Sequence, residues 1–210
     1  MRLPLIALML CCLPFRGQAD QAGVFDYYVL ALSWTPSWCV AEGDARGSDQ
    51  CAPDQGFGFT LHGLWPQYLR GWPSFCRTGQ RDPSRSQTAA MSDIMGSGGL
   101  AWHQWKKHGR CTGLTSQAYF NASRRAYDAV ERPQVLRKLS RDLRIPPQVI
   151  EAAFLETNPE LQADGITVTC RDGRLHEIRI CLDKDLAPRD CEPDVRRDCR
   201  ANSVLVSPIR

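Results

Sequence analysis

Cysteine usage constrains this chain more than any other feature. Ten cysteines occur in 210 residues. Two of them, Cys11 and Cys12, lie in the apolar run Leu3 to Phe15, which follows a basic start at Met1-Arg2 and precedes the small-residue stretch Gly17-Gln18-Ala19. That arrangement reads as a secretory signal peptide over residues 1–19, and the run is too short to cross a bilayer. Eight cysteines then remain in residues 20–210: Cys39, Cys51, Cys76, Cys111, Cys170, Cys181, Cys191 and Cys199. An even number in an exported chain reads as four disulfides. Eight cysteines allow 105 pairings, and spacing alone selects none of them. No two of them show the short spacing of a zinc knuckle, so no metal site is expected.

Removing the leader takes away Arg2 and Arg16, so 26 basic residues become 24 against 23 acidic ones. A chain this close to neutral does not announce a polyanion binder by gross charge, and any such site must be local. The length suits one domain with a substantial core. With the leader gone, a secreted or periplasmic chain with no membrane association is expected.

Hydrophobic patterning divides the chain. Asp26 to Trp34 reads as a buried central strand, followed by a polar loop from Cys39 to Gln55. Gly58 to Leu64 reads as a second strand ended by Pro66, with Phe59 and Leu61 on one face and Thr60 and His62 on the other. Trp65 to Ser84 is a long aromatic loop. Thr88 to Met95 is a short helix closed by a Gly96-Ser97-Gly98-Gly99 loop. The stretch Trp102 to His108 is a helix ended by Gly109, and Thr115 to Arg132 is another. Pro133 to Arg144 continues helical, and Gln148 to Thr157 is the last helix. Ile166 to Arg171 and Leu175 to Leu182 form a hairpin about Asp172-Gly173, and Val204 to Val206 is a closing edge strand. The expected architecture is a single α+β domain: an antiparallel or mixed central sheet with a block of helices packed against it, stapled by disulfides.

Four histidines are present. His176, beside Glu177 in the hairpin, reads as solvated and structural. In the helix, spacings of three and four bring Gln104, Lys107 and His108 to one face, with His103 at its edge. Trp102 and Trp105 point the other way, toward a core. Two histidines on separate elements, His62 and His108, suit general acid–base chemistry, since imidazole titrates near neutral pH. His103 and His108 are five apart with no Glu after the first, which does not fit a zinc protease helix. No Gly-x-Ser-x-Gly nucleophile elbow occurs.

The segments His62-Gly63-Leu64-Trp65-Pro66 and His103-x-Trp105-x-Lys107-His108-Gly109-x-Cys111 resemble the two active-site segments of the ribonuclease T2 family, secreted base-nonspecific endoribonucleases. The resemblance implies single-stranded RNA as substrate, no DNA cleavage, no metal and no cofactor. It implies transphosphorylation through a 2′,3′-cyclic phosphate to a 3′-phosphate. His108 corresponds to the family's base and His62 to its acid. Lys107 would stabilise charge on the phosphoryl oxygens, and His103 would help hold the phosphate. Trp65, Tyr68 and Trp72 are candidates for stacking bases; for Trp65, core packing is an equal alternative. Gln104 departs from the family pattern, which carries Glu there. An amide can donate a hydrogen bond but cannot act as an acid, so a catalytically weak RNA-binding or signalling protein on the same fold is the alternative reading. The family pattern also implies a Cys76–Cys111 bridge, with Cys170–Cys199 and Cys181–Cys191 in the tail, leaving Cys39–Cys51. A monomer is expected.

Overall fold

The computed structural model describes residues 20–210; the leader lies outside the described residues. Its first strand, β1 (Tyr27–Trp34), is buried along nearly its whole length. That explains its unbroken apolar run, because a strand covered on both faces has no solvent side to mark with polar residues. Tyr28, Leu30, Leu32 and Trp34 enter the main core, while Tyr27 and Val29 enter a smaller cluster with Cys181, Cys191 and Val195.

β1 pairs antiparallel with β2 (Phe59–Gln67) on one side. On the other side it pairs antiparallel with β5 (Arg174–Leu182). β4 (Ile166–Arg171) forms the expected hairpin with β5, and its turn places Asp172 at φ 52° and Gly173 at φ 72°, the left-handed pair of a two-residue type I′ loop. Val204–Val206 is a strand, β6, but it is not an edge. It lies between the start of β5, to which it is parallel, and β3 (Leu143–Ile145). The six strands are thus one mixed sheet among the described residues.

Two expectations about β2 and β3 change. β2 runs through Pro66 to Gln67. Its other side is unpaired, and an edge strand tolerates a residue that lacks an amide hydrogen. The predicted helix over Pro133 to Arg144 contracts to α6 (Gln134–Arg137), and Leu143 joins β3. Val135 on the expected apolar face is 64% exposed; pairing with β6 outweighs helical periodicity here.

The remaining helices are α1 (Thr35–Trp38), α2 (Arg85–Ala89), α3 (Ser92–Met95), α4 (Gly98–Lys107), α5 (Ser116–Ala129) and α7 (Pro147–Thr157). α4 starts earlier than expected, within the glycine run. Ser97 caps it by accepting the Leu100 N–H at 3.1 Å, and a Cβ on Gly98 would stand 3.2 Å from the Thr88–Ala89 backbone, so the glycine allows α4 to approach α2 closely. Tyr119, Phe120, Ala122 and Ala126 of α5 pack against β1 and β2 in the main core. All four expected disulfides are formed: Cys39–Cys51, Cys76–Cys111, Cys170–Cys199 and Cys181–Cys191. No helix among the described residues is long and apolar enough to cross a membrane.

Candidate active site

The site begins with a break in the β1–β2 ladder. Ala31 pairs with Gly63, but Leu32 pairs with Leu61, which leaves His62 without a partner. This is a β-bulge, a device that re-aims a side chain. Phe59, Leu61 and Leu64 all reach the main core, so the alternation shifts by one residue at the bulge. Thr60 and His62 face a cavity of about 610 Å³ that Ser33, His103, Arg171 and His176 also line.

α4 supplies the second half. Trp105 is fully buried, and its indole N–H donates to Asp82 at 2.8 Å. Trp102, expected beside it in the core, is 36% exposed and lies under Lys106 Nζ instead. Gln104 is buried and His108, just past the end of α4, is 4% exposed. A Cβ on Gly109 would stand 2.5 Å from the Trp105 ring and 2.8 Å from Tyr119, so the chain beyond His108 threads between two aromatic rings. The Cys76–Cys111 bridge, together with a Phe75 N–H to Lys107 carbonyl bond of 2.9 Å, fastens this end to the loop after β2.

Trp65 joins the halves. Its ring stacks on His108 at 5.3 Å and 24° and meets His62 edge-on at 5.1 Å and 81°. Its indole N–H donates to Gln104 Oε1 at 2.8 Å, and the Arg179 guanidinium lies 5.5 Å from the ring centroid. Gly63 makes this arrangement possible: a Cβ there would fall 2.2 Å from Gln104 Oε1 and 2.4 Å from Trp65 Nε1.

The two imidazoles sit in opposite environments. His108 Nδ1 is buried with no hydrogen-bond partner. Burial first, then the charge of Lys107, brings the His108 pKa down to about 3, so the ring is neutral near neutral pH. His62 Nδ1 instead faces the Glu177 carboxylate at 2.5 Å. Burial also lowers the His103 pKa, followed by the charges of Lys107 and His62.

The structure therefore gathers His62, Trp65, Gln104, Lys107, His108 and His103 at one locus. It does not bring Tyr68 or Trp72 to the cavity wall. The Tyr68 hydroxyl donates to Asp20 at 3.2 Å, and Trp72 is 57% exposed. Glu177 and Arg179 are the groups that sequence reasoning missed. Both lie on β5, and a Glu and an Arg two apart in an apolar strand mark one polar face. His176, read as solvated, lines the cavity. Among the described residues, no three His, Cys, Asp or Glu side chains gather to hold a metal.

The family model of the ribonuclease T2 family matches residues 25–191. A ribonuclease of Aeromonas hydrophila is 46% identical over 99 residues, 47% of this chain and 43% of that protein. A probable ribonuclease of Haemophilus influenzae is 30% identical over 84% of this chain and 64% of its own length. The matches thus span less than two thirds of these two relatives. A solved RNase-related protein from Calystegia sepium shares the fold, with TM-score 0.70 and 20% identity over 87% of this chain and 97% of its own.

Proposed function

The chain belongs to the ribonuclease T2 family, and on that premise we propose that it is an exported endoribonuclease that cleaves single-stranded RNA without a metal. The observation that carries this reading is the pair of imidazoles that both pack against the Trp65 ring, one buried and neutral, the other with Nδ1 against a carboxylate. A neutral imidazole accepts a proton, and an imidazole whose Nδ1 is held by a carboxylate keeps its other nitrogen for proton exchange.

In this mechanism His108 removes the proton of a ribose 2′-OH. The 2′-oxygen attacks the adjacent phosphorus, and the bond to the leaving 5′-oxygen breaks as His62 protonates that oxygen. The product is a 2′,3′-cyclic phosphate and a free 5′-OH end. Water then opens the ring to a 3′-phosphate with the two imidazoles in reversed roles. Lys107 stabilises negative charge growing on the phosphoryl oxygens, and His103 helps hold the phosphate. DNA lacks the 2′-OH and is not a substrate. The four disulfides support an oxidising compartment, in keeping with residues 1–19 as an export signal.

Gln104 supports a second reading, a weakly catalytic RNA-binding protein on the same fold, because its carbonyl is engaged by Trp65. One experiment separates the two. Residues 20–210 are incubated with RNA or DNA in EDTA, beside His108→Ala. The enzyme reading expects RNA cleavage that His108→Ala reduces on the order of 10²-fold or more, with DNA intact. RNA binding with turnover no faster than His108→Ala supports the second reading. Loss of cleavage in EDTA, or equal cleavage of DNA, overturns the mechanism.

A further inference from the structure

We propose that Glu177 is a positioning residue for His62, fixing the tautomer and orientation of the ring so that Nε2 is the nitrogen that exchanges protons, and that Arg179 in turn fixes Glu177. The inference rests on the reading of His62 as the general acid and adds to it a group from a different strand.

Glu177 lies at the centre of the sheet and is 1% exposed. A carboxylate that deep is costly unless every oxygen is engaged. Here both are. Oε1 faces His62 Nδ1 at 2.5 Å and accepts the Ser33 hydroxyl at 3.3 Å. Oε2 accepts from Arg179 Nε at 3.1 Å and Nη2 at 2.9 Å. Burial alone would raise the Glu177 pKa; the His62 hydrogen bond and the charges of His62 and Arg179 outweigh it and bring it well below the usual carboxylate range. The group is therefore an anion, and an anion only accepts. The proton on the shared axis belongs to His62 Nδ1, so a neutral His62 keeps Nδ1–H and leaves Nε2 as the atom that exchanges protons.

Topology supports the same assignment. Glu177 is the β5 partner of Ser33, and Ser33 is the β1 partner of Thr60. His62 would stand two positions along β2, and the bulge turns it to meet the carboxylate. Other charged or titratable groups also surround the ring. The charge of His62 bears on His103 of α4 and on His108 just past its end, and on His176 of β5. Arg171, Arg46 and Glu42 line the same cavity, but Glu42 is engaged by both arginines. Glu177 is the one carboxylate that contacts His62 among the described residues.

The test uses residues 20–210 with intact disulfides and the variants Glu177→Gln, Glu177→Asp and Arg179→Met. Nitrogen-15 NMR of the imidazoles, recorded without RNA, reads the tautomer independently of activity. The wild type is expected to hold Nδ1–H at His62, and Glu177→Gln to lose that preference. On a dinucleoside phosphate, Glu177→Gln is expected to lower kcat on the order of 10²-fold with KM changed less than threefold. Glu177→Asp should recover part of kcat, and Arg179→Met should weaken the same tautomer preference to a smaller degree. An unchanged tautomer with an unchanged kcat in a folded Glu177→Gln overturns the proposal, as does a His62 that carries its proton on Nε2 in the wild type. A wild type with the Nδ1–H tautomer that does not cleave RNA overturns the proposed function and leaves the Glu177–His62 arrangement standing.

Discussion

Gln104 is the residue whose meaning the structure changes most. In the sequence it stands where a family acid is expected, which makes it look like a lost interaction with substrate. In the fold its carbonyl holds the indole N–H of Trp65, and Trp65 packs against both His62 and His108. What matters at this position is then an acceptor of the right length. Gln104→Glu keeps one and should hold the indole in place, at the cost of desolvating a carboxylate at a position only 1% exposed. Gln104→Leu leaves the indole N–H unpaired and should cost about 1–3 kcal/mol, with a matching loss of turnover as Trp65 shifts. Equal stability of all three proteins in urea would show that the bond to Trp65 has no anchoring role. His62, Lys107, His103 and His108 were legible in the sequence because each sits in a short local motif. Glu177 was not, because its role depends on β1 lying between β2 and β5, a contact 115 residues apart in the chain.

At the scale of elements, the bulge in β2 makes the site. It turns His62 and leaves Gly63 opposite Gln104, where no Cβ fits. Gly63→Ala should therefore destabilise the protein by about 1–3 kcal/mol through overpacking. Its turnover should fall by more than its folded fraction explains, measured by pairing urea melts with initial rates. A change in stability with normal turnover per folded molecule would place the glycine outside the catalytic geometry. The apolar run of β1, the alternation in β2 and the Asp172-Gly173 turn were all readable, because each is a local consequence of burial or backbone conformation. The bulge was not, since a one-residue slip has no local composition signal. β3 was likewise hidden, being three residues that become a strand only because β6 lies beside them. Trp102 was misplaced because helical spacing gives a direction but not what packs there.

For the molecule as a whole, the disulfides and the buried ionisable groups set the working range. The Cys76–Cys111 bridge closes a 35-residue separation and ties the end of α4 to the loop after β2. Replacing both cysteines by Ala should cost about 2–4 kcal/mol, read from the urea midpoint. It should also reduce turnover, since the loop that fixes His108 is released. The pH response has a definite sign. Unfolded histidine takes up a proton near pH 6.5, whereas His108 in the fold does so only near 3. Between those values the unfolded chain binds more protons, so stability present above pH 6.5 declines as the solution is acidified toward pH 3. Glu177, held below its ordinary value, adds a loss of the same sign at the acid end. Urea midpoints at pH 7, 5 and 4 should fall in that order, and more gently in His108→Asn. Hydrophobic patterning and the even cysteine count made the broad architecture readable from the chain alone; the meeting of three strands at one carboxylate is a property of the assembled sheet.

The most direct test of the central claim is phosphorus-31 NMR of the products from a ribodinucleoside phosphate in EDTA. Acid–base transphosphorylation by His62 and His108 predicts a 2′,3′-cyclic phosphate that accumulates first and then gives way to a 3′-phosphate, with no reaction of the 2′-deoxy analogue. A 5′-phosphate product, or turnover of the 2′-deoxy compound, would contradict it.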